Sequence, residues 1–355
     1  MTFVEEKISQ EQTVTLPEKL EFGRIFTPHL LEMDYDEANG GWSEPKIVDF
    51  HNITLHPAAL VLHYGLEIFE GMKAYRQVNG RIALFRPEKN FQRLNRSARR
   101  LSMPEIDIEL VLEYLKKLIK TDAAWVPAKP DYSLYIRPLM IATDPVLGVR
   151  PGTQYKFLIM LSPVGPYYPE GFKPVSIMAT DKYVRAVRKG VGDCKTGGNY
   201  AASLLAFKEA QKEGYSQVLW LDALELKYIE EVGTMNMFIH FKDEVATAPL
   251  SGSILPGVTR DSVITILKDW GYNVTERRIP IAEVFERYED GSLVELFGSG
   301  TAAVIAAISK LKYHDDVITF NEEEPGELAK KLYDYLTGIQ YGKEEDKYGW
   351  ITYID

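Results

Sequence analysis

The sequence predicts an α/β chain of two domains with a ligand cleft between them. Its 355 residues exceed what one hydrophobic core comfortably holds. Strand-like and helix-like segments alternate from about residue 45 to 165. The proline- and glycine-rich run GPYYPEGFKP (165–174) then breaks the pattern, which resumes afterwards. We expect a small N-terminal α/β domain over 1–166, an interdomain loop over 167–180 and a larger C-terminal domain over 181–355.

The elements follow in chain order. RIALFRP (81–87) and SLYIRPLMIAT (133–143) are rich in β-branched and aromatic residues and predict strands. Between them Phe91, Leu94, Ala98 and Leu101 recur at helical spacing behind Pro87, whose ring suits a first turn. The segment 106–123 predicts a second amphipathic helix with Leu112, Leu115, Leu118 and Ile119 on one side. QYKFLIMLSPV (154–164) reads as a buried strand. Beyond the linker we expect a helix over about 199–213 and a strand at QVLWLD (217–222). A helix opening near Gly257 and another over GELAKKLYDYL (326–336) complete the second domain.

Composition narrows the function. Hydrophobic residues make up 45% and charged residues 26%, as in ordinary globular chains. The formal net charge of −10 comes without an extended basic block, which argues against nucleic acid as a partner. An anionic ligand must therefore be held by a few local arginines and backbone N–H groups, which points to a small molecule in a formed pocket. No apolar run reaches the ~18 residues of a membrane helix. The start, MTFVEEKISQEQTV, lacks the basic and apolar regions of a secretory signal. The single cysteine, Cys194, leaves no internal disulfide and no cysteine-built zinc site, so we expect a cytoplasmic protein. The six histidines show no metal-ligand spacing, and neither a GxSxG elbow nor a P-loop is present.

Several stretches admit two readings when taken singly. GDCKTGGNY (192–200) is either an exposed loop or a nucleophilic lysine, Lys195, packed against a cofactor by Gly197 and Gly198. GSGTAA (298–303), read as leading into an apolar helical run, and LPGVTRD (255–261) are plain helix starts or anion sites. Glu231 heads an apolar strand-like run and is solvated or functional. Tyr135 and Arg137 share a strand face by the period of two, and Arg137 needs either an internal salt bridge or an anionic ligand.

Taken together they form one pattern. HYGLEIFEGMKAY (63–75), FQRLNRSARRL (91–101), YIRPLM (135–140), GDCKTGGNYAASLL (192–205), EEVGTMNMF (230–238), LPGVTRDSV (255–263) and FGSGTAA (297–303) occur in one order and spacing. From about residue 20 to the KYGWI segment (347–351), the chain resembles the branched-chain amino acid aminotransferases of the pyridoxal-phosphate fold type IV class. The resemblance implies pyridoxal 5′-phosphate in the interdomain cleft and Lys195 as the catalytic lysine holding it as a Schiff base. It makes Tyr200 the partner of the cofactor's phenolic oxygen and Glu231 the carboxylate facing the pyridine nitrogen. Arg93 becomes the phosphate-binding arginine, supported by Val258, Thr259 and Thr301. Thr301 and Ala302 match the turn that receives the substrate carboxylate. Tyr64, Phe69, Gly71, Tyr135, Arg137 and Tyr167 match the substrate pocket. Leu147 and Val149 match residues contributed across a homodimer interface, and Tyr64 is a candidate for the same origin.

The implied reaction is reversible transfer of the amino group of leucine, isoleucine or valine to 2-oxoglutarate. A lysine amine can hold the cofactor and then carry the α-proton, as base and afterwards as acid. Phe69, Tyr135, Tyr167, Leu147 and Val149 would wall an apolar pocket, and Arg137 is assigned to the second carboxylate of glutamate. The positions where some relatives carry a CxxC pair are Ala303 and Ala306, so that redox control is absent. Cys194 is expected to be a small packed residue. The alternatives are a D-amino acid aminotransferase, an aminodeoxychorismate lyase, or a non-catalytic binding protein on the same fold. YIRP and EVGTMN argue against the first two, and the presence of Lys195, Tyr200 and Glu231 against the third.

Overall fold

A computed structural model describes residues 14, 16–167, 172–320 and 322–354. The acidic start at 1–13 and the centre of the expected linker at 168–171 lie outside the described residues. The first sheet is built from β1 (His29–Asp36), β2 (Gly41–Trp42), β3 (Lys46–Asp49), β4 (Glu67–Phe69), β5 (Met72–Arg76), β6 (Ile82–Phe85), β7 (Ser133–Ala142) and β8 (Gln154–Val164). All its pairings are antiparallel, and β7 lies against β8 over ten residue pairs from Ser133↔Val164 to Ala142↔Tyr155. Two helices cover one face: α2 (Pro87–Arg100) and α3 (Ile108–Thr121), which follow the short α1 (Leu60–Tyr64). Phe91, Leu94 and Ala98 of α2 are fully buried, as their spacing predicts. In α3 the buried stripe is Val111, Leu115, Leu118 and Ile119, with Leu112 only partly buried. Asp107 caps that helix by accepting from the Leu110 N–H at 3.1 Å.

The second sheet contains β9 (Val175–Thr180), β10 (Gln217–Leu221), β11 (Ile229–Val232), β12 (Met235–Phe241), β13 (Val245–Thr247), β14 (Val274–Glu276), β15 (Leu293–Gly300), β16 (Val304–Tyr313) and β17 (Asp316–Thr319). The strands run β11-β10-β9-β16-β15-β12, and β11 also pairs β12, so this part closes on itself as a barrel. Its core includes Leu219, Val232, Met237, Ile239 and Leu296. Helices α4 (Gly197–Ala201), α5 (Leu204–Lys212), α6 (Val258–Asp269), α7 (Ile281–Glu289) and α8 (Glu327–Gln340) belong to this half. Among the described residues no helix is long and apolar enough to cross a membrane.

The structure corrects four expectations. Val175–Thr180 is a strand of the second sheet, so the connection between the halves ends earlier than residue 180. The chain end returns to the first half: β18 (Ile351–Tyr353) pairs antiparallel with β6. The helix expected over 199–213 is two helices, because the Ser203 hydroxyl donates to the Tyr200 carbonyl at 2.6 Å where the turn breaks. The run after GSGTAA is the strand β16, not a helix; its β-branched and small residues pair with β15 from Leu296↔Ile308 to Gly300↔Val304. A third apolar cluster joins Tyr75 and Phe85 of the first sheet to Phe238, Phe297 and helices α6 and α8. The halves are thereby packed through a shared core beside the cleft.

Candidate active site

A cavity of about 430 Å³ opens between the two sheets. The first sheet contributes Phe69, Gly71, Tyr135 and Arg137, and α2 contributes Arg93. The second half contributes Lys195 and Tyr200, the start of α6 at Val258 and Thr259, and the β15–β16 turn at Thr301 and Ala302. Tyr167 closes the rim. Of the residues assigned to cofactor or substrate in the sequence, all but Glu231, Tyr64, Leu147 and Val149 line it.

Lys195 is held from both sides by its own backbone. Its N–H donates to Ser97 Oγ of α2 at 3.0 Å, and its carbonyl accepts from the Phe69 N–H at 3.0 Å. Next to it the Gly197 N–H donates to the Glu67 carboxylate, and a Cβ at Gly197 would run into that carboxylate. Gly198 faces open space, so only the first of the two glycines is closely approached, by the Glu67 carboxylate. Asn199 Nδ2 closes the loop on the Val191 and Cys194 carbonyls at 2.8 and 3.0 Å. Cys194 is buried, and burial beside Asp193 pushes its thiol up to about 11, which keeps it a neutral packing residue.

The Lys195 amine lies 2.7 Å from the Tyr200 hydroxyl. Burial and the charge of Arg93 push that amine down to about 8, while burial pushes the Tyr200 phenol up to about 12. Near pH 8 the lysine is therefore half neutral and the tyrosine a protonated donor. An ordinary lysine titrates at ~10.4 and stays charged at that pH. In the ligand-free protein, carbamylation of Lys195 by cyanate, read by peptide mass spectrometry, should reach half its plateau rate near pH 8. Surface lysines in the same digest should titrate above pH 10, and a Lys195 midpoint among theirs would contradict the burial argument.

Arg93 departs from the expected open fork. Its Nε and Nη2 donate to the two Glu70 oxygens at 2.7 and 2.8 Å, and Nη1 donates to the Pro256 carbonyl at 3.0 Å. Glu70 is fully buried and also accepts from Asn90 Nδ2 at 3.0 Å; burial pushes its carboxyl up, but Arg93, Lys195 and Asn90 together hold it below its usual range. The guanidinium has five N–H groups, so two remain for an incoming anion. The other anion donors are backbone. Among the described residues the N–H groups of Gly257, Val258 and Thr259 at the start of α6 have no acceptor, nor do those of Thr301, Ala302 and Ala303 in the turn.

Glu231 occupies the layer beneath the cavity wall. Its Oε1 accepts from the Leu255 N–H at 2.9 Å and Asn236 Nδ2 at 3.2 Å, and both partners line the cavity. Its Oε2 lies 2.8 Å from Arg185 Nε, a charge pair without hydrogen-bond alignment since that Nε has no aligned acceptor. Burial pushes the Glu231 carboxyl up, opposed by Arg185 and the Leu255 N–H. Arg137 Nη2 donates to the Tyr135 hydroxyl at 3.1 Å, and its guanidinium carbon lies 4.9 Å from the centre of the Phe69 ring. Its buried Nε has no partner, and no carboxylate among the described residues pairs with it within 4.0 Å. The internal salt bridge is therefore not formed.

Tyr64, Leu147 and Val149 lie together outside the cavity. The Tyr64 hydroxyl bonds the Leu147 carbonyl, and Leu147 and Val149 are 62% and 82% exposed. The sequence reading missed Glu67, Glu70, Arg185 and Asn236. Asn236 carried a signal, as a polar residue inside an apolar strand, the same logic that marked Arg137. Glu70 likewise sits in an apolar run, whereas nothing local distinguishes Arg185.

The family described as Amino-transferase class IV matches residues 67–311. A branched-chain-amino-acid aminotransferase 2 of Bacillus subtilis (strain 168) is 52% identical over 338 residues, covering 95% of this chain and 93% of that protein. A probable branched-chain-amino-acid aminotransferase of Staphylococcus epidermidis is 53% identical over 351 residues, 97% and 98% of the two chains. Among solved structures, a branched-chain amino acid aminotransferase of Escherichia coli superposes with a TM-score of 0.76 at 26% identity, covering 93% of this chain and 100% of that one. A second branched-chain amino acid aminotransferase, from T.th. and complexed with N-(5′-phosphopyridoxyl)-L-glutamate, gives the same TM-score, 0.76, at 26% identity, with the same coverage of 93% and 100%.

Proposed function

The chain belongs to the class IV aminotransferase family, and from that premise we propose that its cavity passes the amino group of leucine, isoleucine or valine to 2-oxoglutarate, with pyridoxal 5′-phosphate held at Lys195. The activity is that of a branched-chain-amino-acid aminotransferase. The observation that carries the assignment of the site is the Lys195 amine, brought down to about 8 inside the cavity and held 2.7 Å from Tyr200.

The residues present fit the cofactor. The unpaired N–H groups that open α6, the Thr259 and Thr301 side chains in the wall and the two remaining Arg93 N–H groups form a donor set for a phosphate. Tyr200 would receive the phenolic oxygen, and Glu231, paired with Arg185, would serve the ring nitrogen. When bound, the cofactor supplies the carbonyl that takes up the amino group and the ring that draws electrons from the substrate α-carbon. Lys195 Nζ then takes the α-proton and returns it, and the bond to Tyr200 keeps that atom in one place. The Thr301–Ala302 turn would receive the α-carboxylate.

Phe69, Tyr135, Tyr167 and Phe22 give the rest of the cavity an aromatic wall suited to a branched apolar side chain. Arg137 is held by Tyr135 and the Phe69 face when that side chain is apolar, and its guanidinium in the cavity wall keeps further N–H groups for a second carboxylate on the substrate. A charged hydrogen bond is worth roughly 1.5–3 kcal/mol. Arg137→Ala should therefore lower kcat/KM for glutamate by roughly 10- to 100-fold while leucine changes by less than about 3-fold. Equal losses with the two donors would remove this assignment.

The exposed Tyr64–Leu147–Val149 cluster, with the exposed Leu204 and Leu205 on α5, suits burial against a second copy, so the working form is proposed to be a homodimer. Its place is proposed to be the cytoplasm, in keeping with a single unpaired cysteine. An amino-donor panel against 2-oxoglutarate tests the whole reading. Leucine, isoleucine and valine should be used in preference to aromatic and D-amino acids, and turnover confined to D-amino acids would reverse it.

A further inference from the structure

Lys73 is a partly buried cation between the two halves, beside the cavity, that the scheme above leaves without a task. It stands on β5, opposite Tyr135 of β7 in the ladder, and its Nζ crosses between the halves to the Ala302 carbonyl at 2.8 Å. No carboxylate among the described residues pairs with it within 4.0 Å. Burial alone pushes its ammonium down to about 8. On one side it adjoins Thr259 and Thr301, and on the other Tyr167 and Ala302. An amine in such a place without a protein anion is readily discharged, and an anion brought beside it favours its charged form.

The turn that Lys73 grips is itself unusual. Residues 301–303 join β15 to β16, and Val304, a β-branched residue, closes the turn at φ 61°. That left-handed conformation is disfavoured for valine and persists only where surrounding contacts impose it. The peptide unit is planar and trans, so fixing the Ala302 carbonyl fixes the opposite direction for the Ala303 N–H. Three successive N–H groups without acceptors are thus presented by a turn whose carbonyl is tied to an ammonium.

We propose that Lys73 is the positioning residue of the α-carboxylate site: it holds the Thr301–Ala303 turn through the Ala302 carbonyl and supplies the positive charge that the substrate α-carboxylate balances. The proposal rests on reading that turn as the carboxylate site. It predicts a role in binding every amino acid and oxo acid alike, in contrast to Arg137, which concerns the second carboxylate only.

Two variants separate holding from charge. Lys73→Gln keeps a donor for the Ala302 carbonyl and removes the charge, and Lys73→Met removes both; Lys73→Arg keeps both. Binding of 4-methylpentanoate and of its uncharged amide to the cofactor-loaded protein is measured by calorimetry, beside KM and kcat for leucine. Wild type should prefer the carboxylate. Lys73→Gln should weaken the carboxylate by roughly 10-fold, as expected for one charged hydrogen-bond partner, and leave the amide within about 2-fold. Lys73→Met should weaken both ligands, Lys73→Arg should restore the preference, and KM should move more than kcat. Unchanged carboxylate binding in Lys73→Gln and Lys73→Met, or equal losses for both ligands in Lys73→Gln, would overturn the proposal. If wild type transaminates leucine yet shows no preference for the carboxylate, the inference about Lys73 fails while the aminotransferase reading stands. Absence of leucine turnover in wild type would sink that reading first.

Discussion

Lys195→Ala lowers kcat for leucine by roughly 10²- to 10⁴-fold, the range for loss of a positioned acid–base group. The expectation follows from where the amine sits. Its backbone is fixed by Ser97 Oγ and the Phe69 N–H, and its Nζ is fixed by Tyr200. Among the described residues Lys195 is the lysine that lines the cavity, and Lys73 beside it is committed to the Ala302 carbonyl. The measurement has two parts. Leucine turnover is followed with 2-oxoglutarate as acceptor, and the holoprotein is reduced with borohydride, digested and weighed. Wild type should carry the cofactor mass on the peptide containing Lys195, and the variant should carry none. Residual turnover within 10-fold of wild type, or label on another lysine, would assign the nucleophile elsewhere.

Glu231→Ala should be costly in two separable ways. It leaves the Arg185 guanidinium, whose side chain is 7% exposed, buried without its countercharge. Removal of one member of a buried ion pair costs about 3–5 kcal/mol. The remaining Arg185 contacts, Nη2 to the Gly192 and Ser253 carbonyls at 2.8 and 2.5 Å, satisfy a donor, and the nearby Glu230 carboxyl offsets the charge only in part. Chemical denaturation followed by tryptophan fluorescence should show the loss in the apoprotein. The double variant Glu231→Leu with Arg185→Met removes both charges and should recover most of that stability. It should not recover transamination, since the ring nitrogen still lacks its carboxylate. Recovery of activity in the double variant would reduce Glu231 to a structural partner of Arg185.

Much of the site was legible because its chemistry is carried by residue types at fixed spacing. Lys195 and Tyr200 lie five residues apart on one loop and short helix, so their pairing is a local matter. Tyr135 and Arg137 share a strand face for the same local reason, and the structure bonds them to each other. The start of α6 was readable because Gly257 and the helical pattern after it are contiguous. Where local signals were ambiguous, the reading went astray. The run after GSGTAA satisfies helical and extended patterns alike, and only pairing with β15 makes it a strand.

The sequence by itself determined that a reactive lysine, a phenol, a carboxylate and several anion-binding segments belong to one α/β chain of the aminotransferase kind. Tertiary structure decided how their charges are shared. It closed the Arg93 fork on Glu70, gave Glu231 to Arg185 beneath the cavity wall, and carried Lys73 across to a turn 229 residues away. The physical reason is that pairing of buried charges depends on distances between elements remote in sequence, and a charge left alone in the interior is costly. Residue type and spacing announce a charged group, and the packing of two sheets chooses its partner.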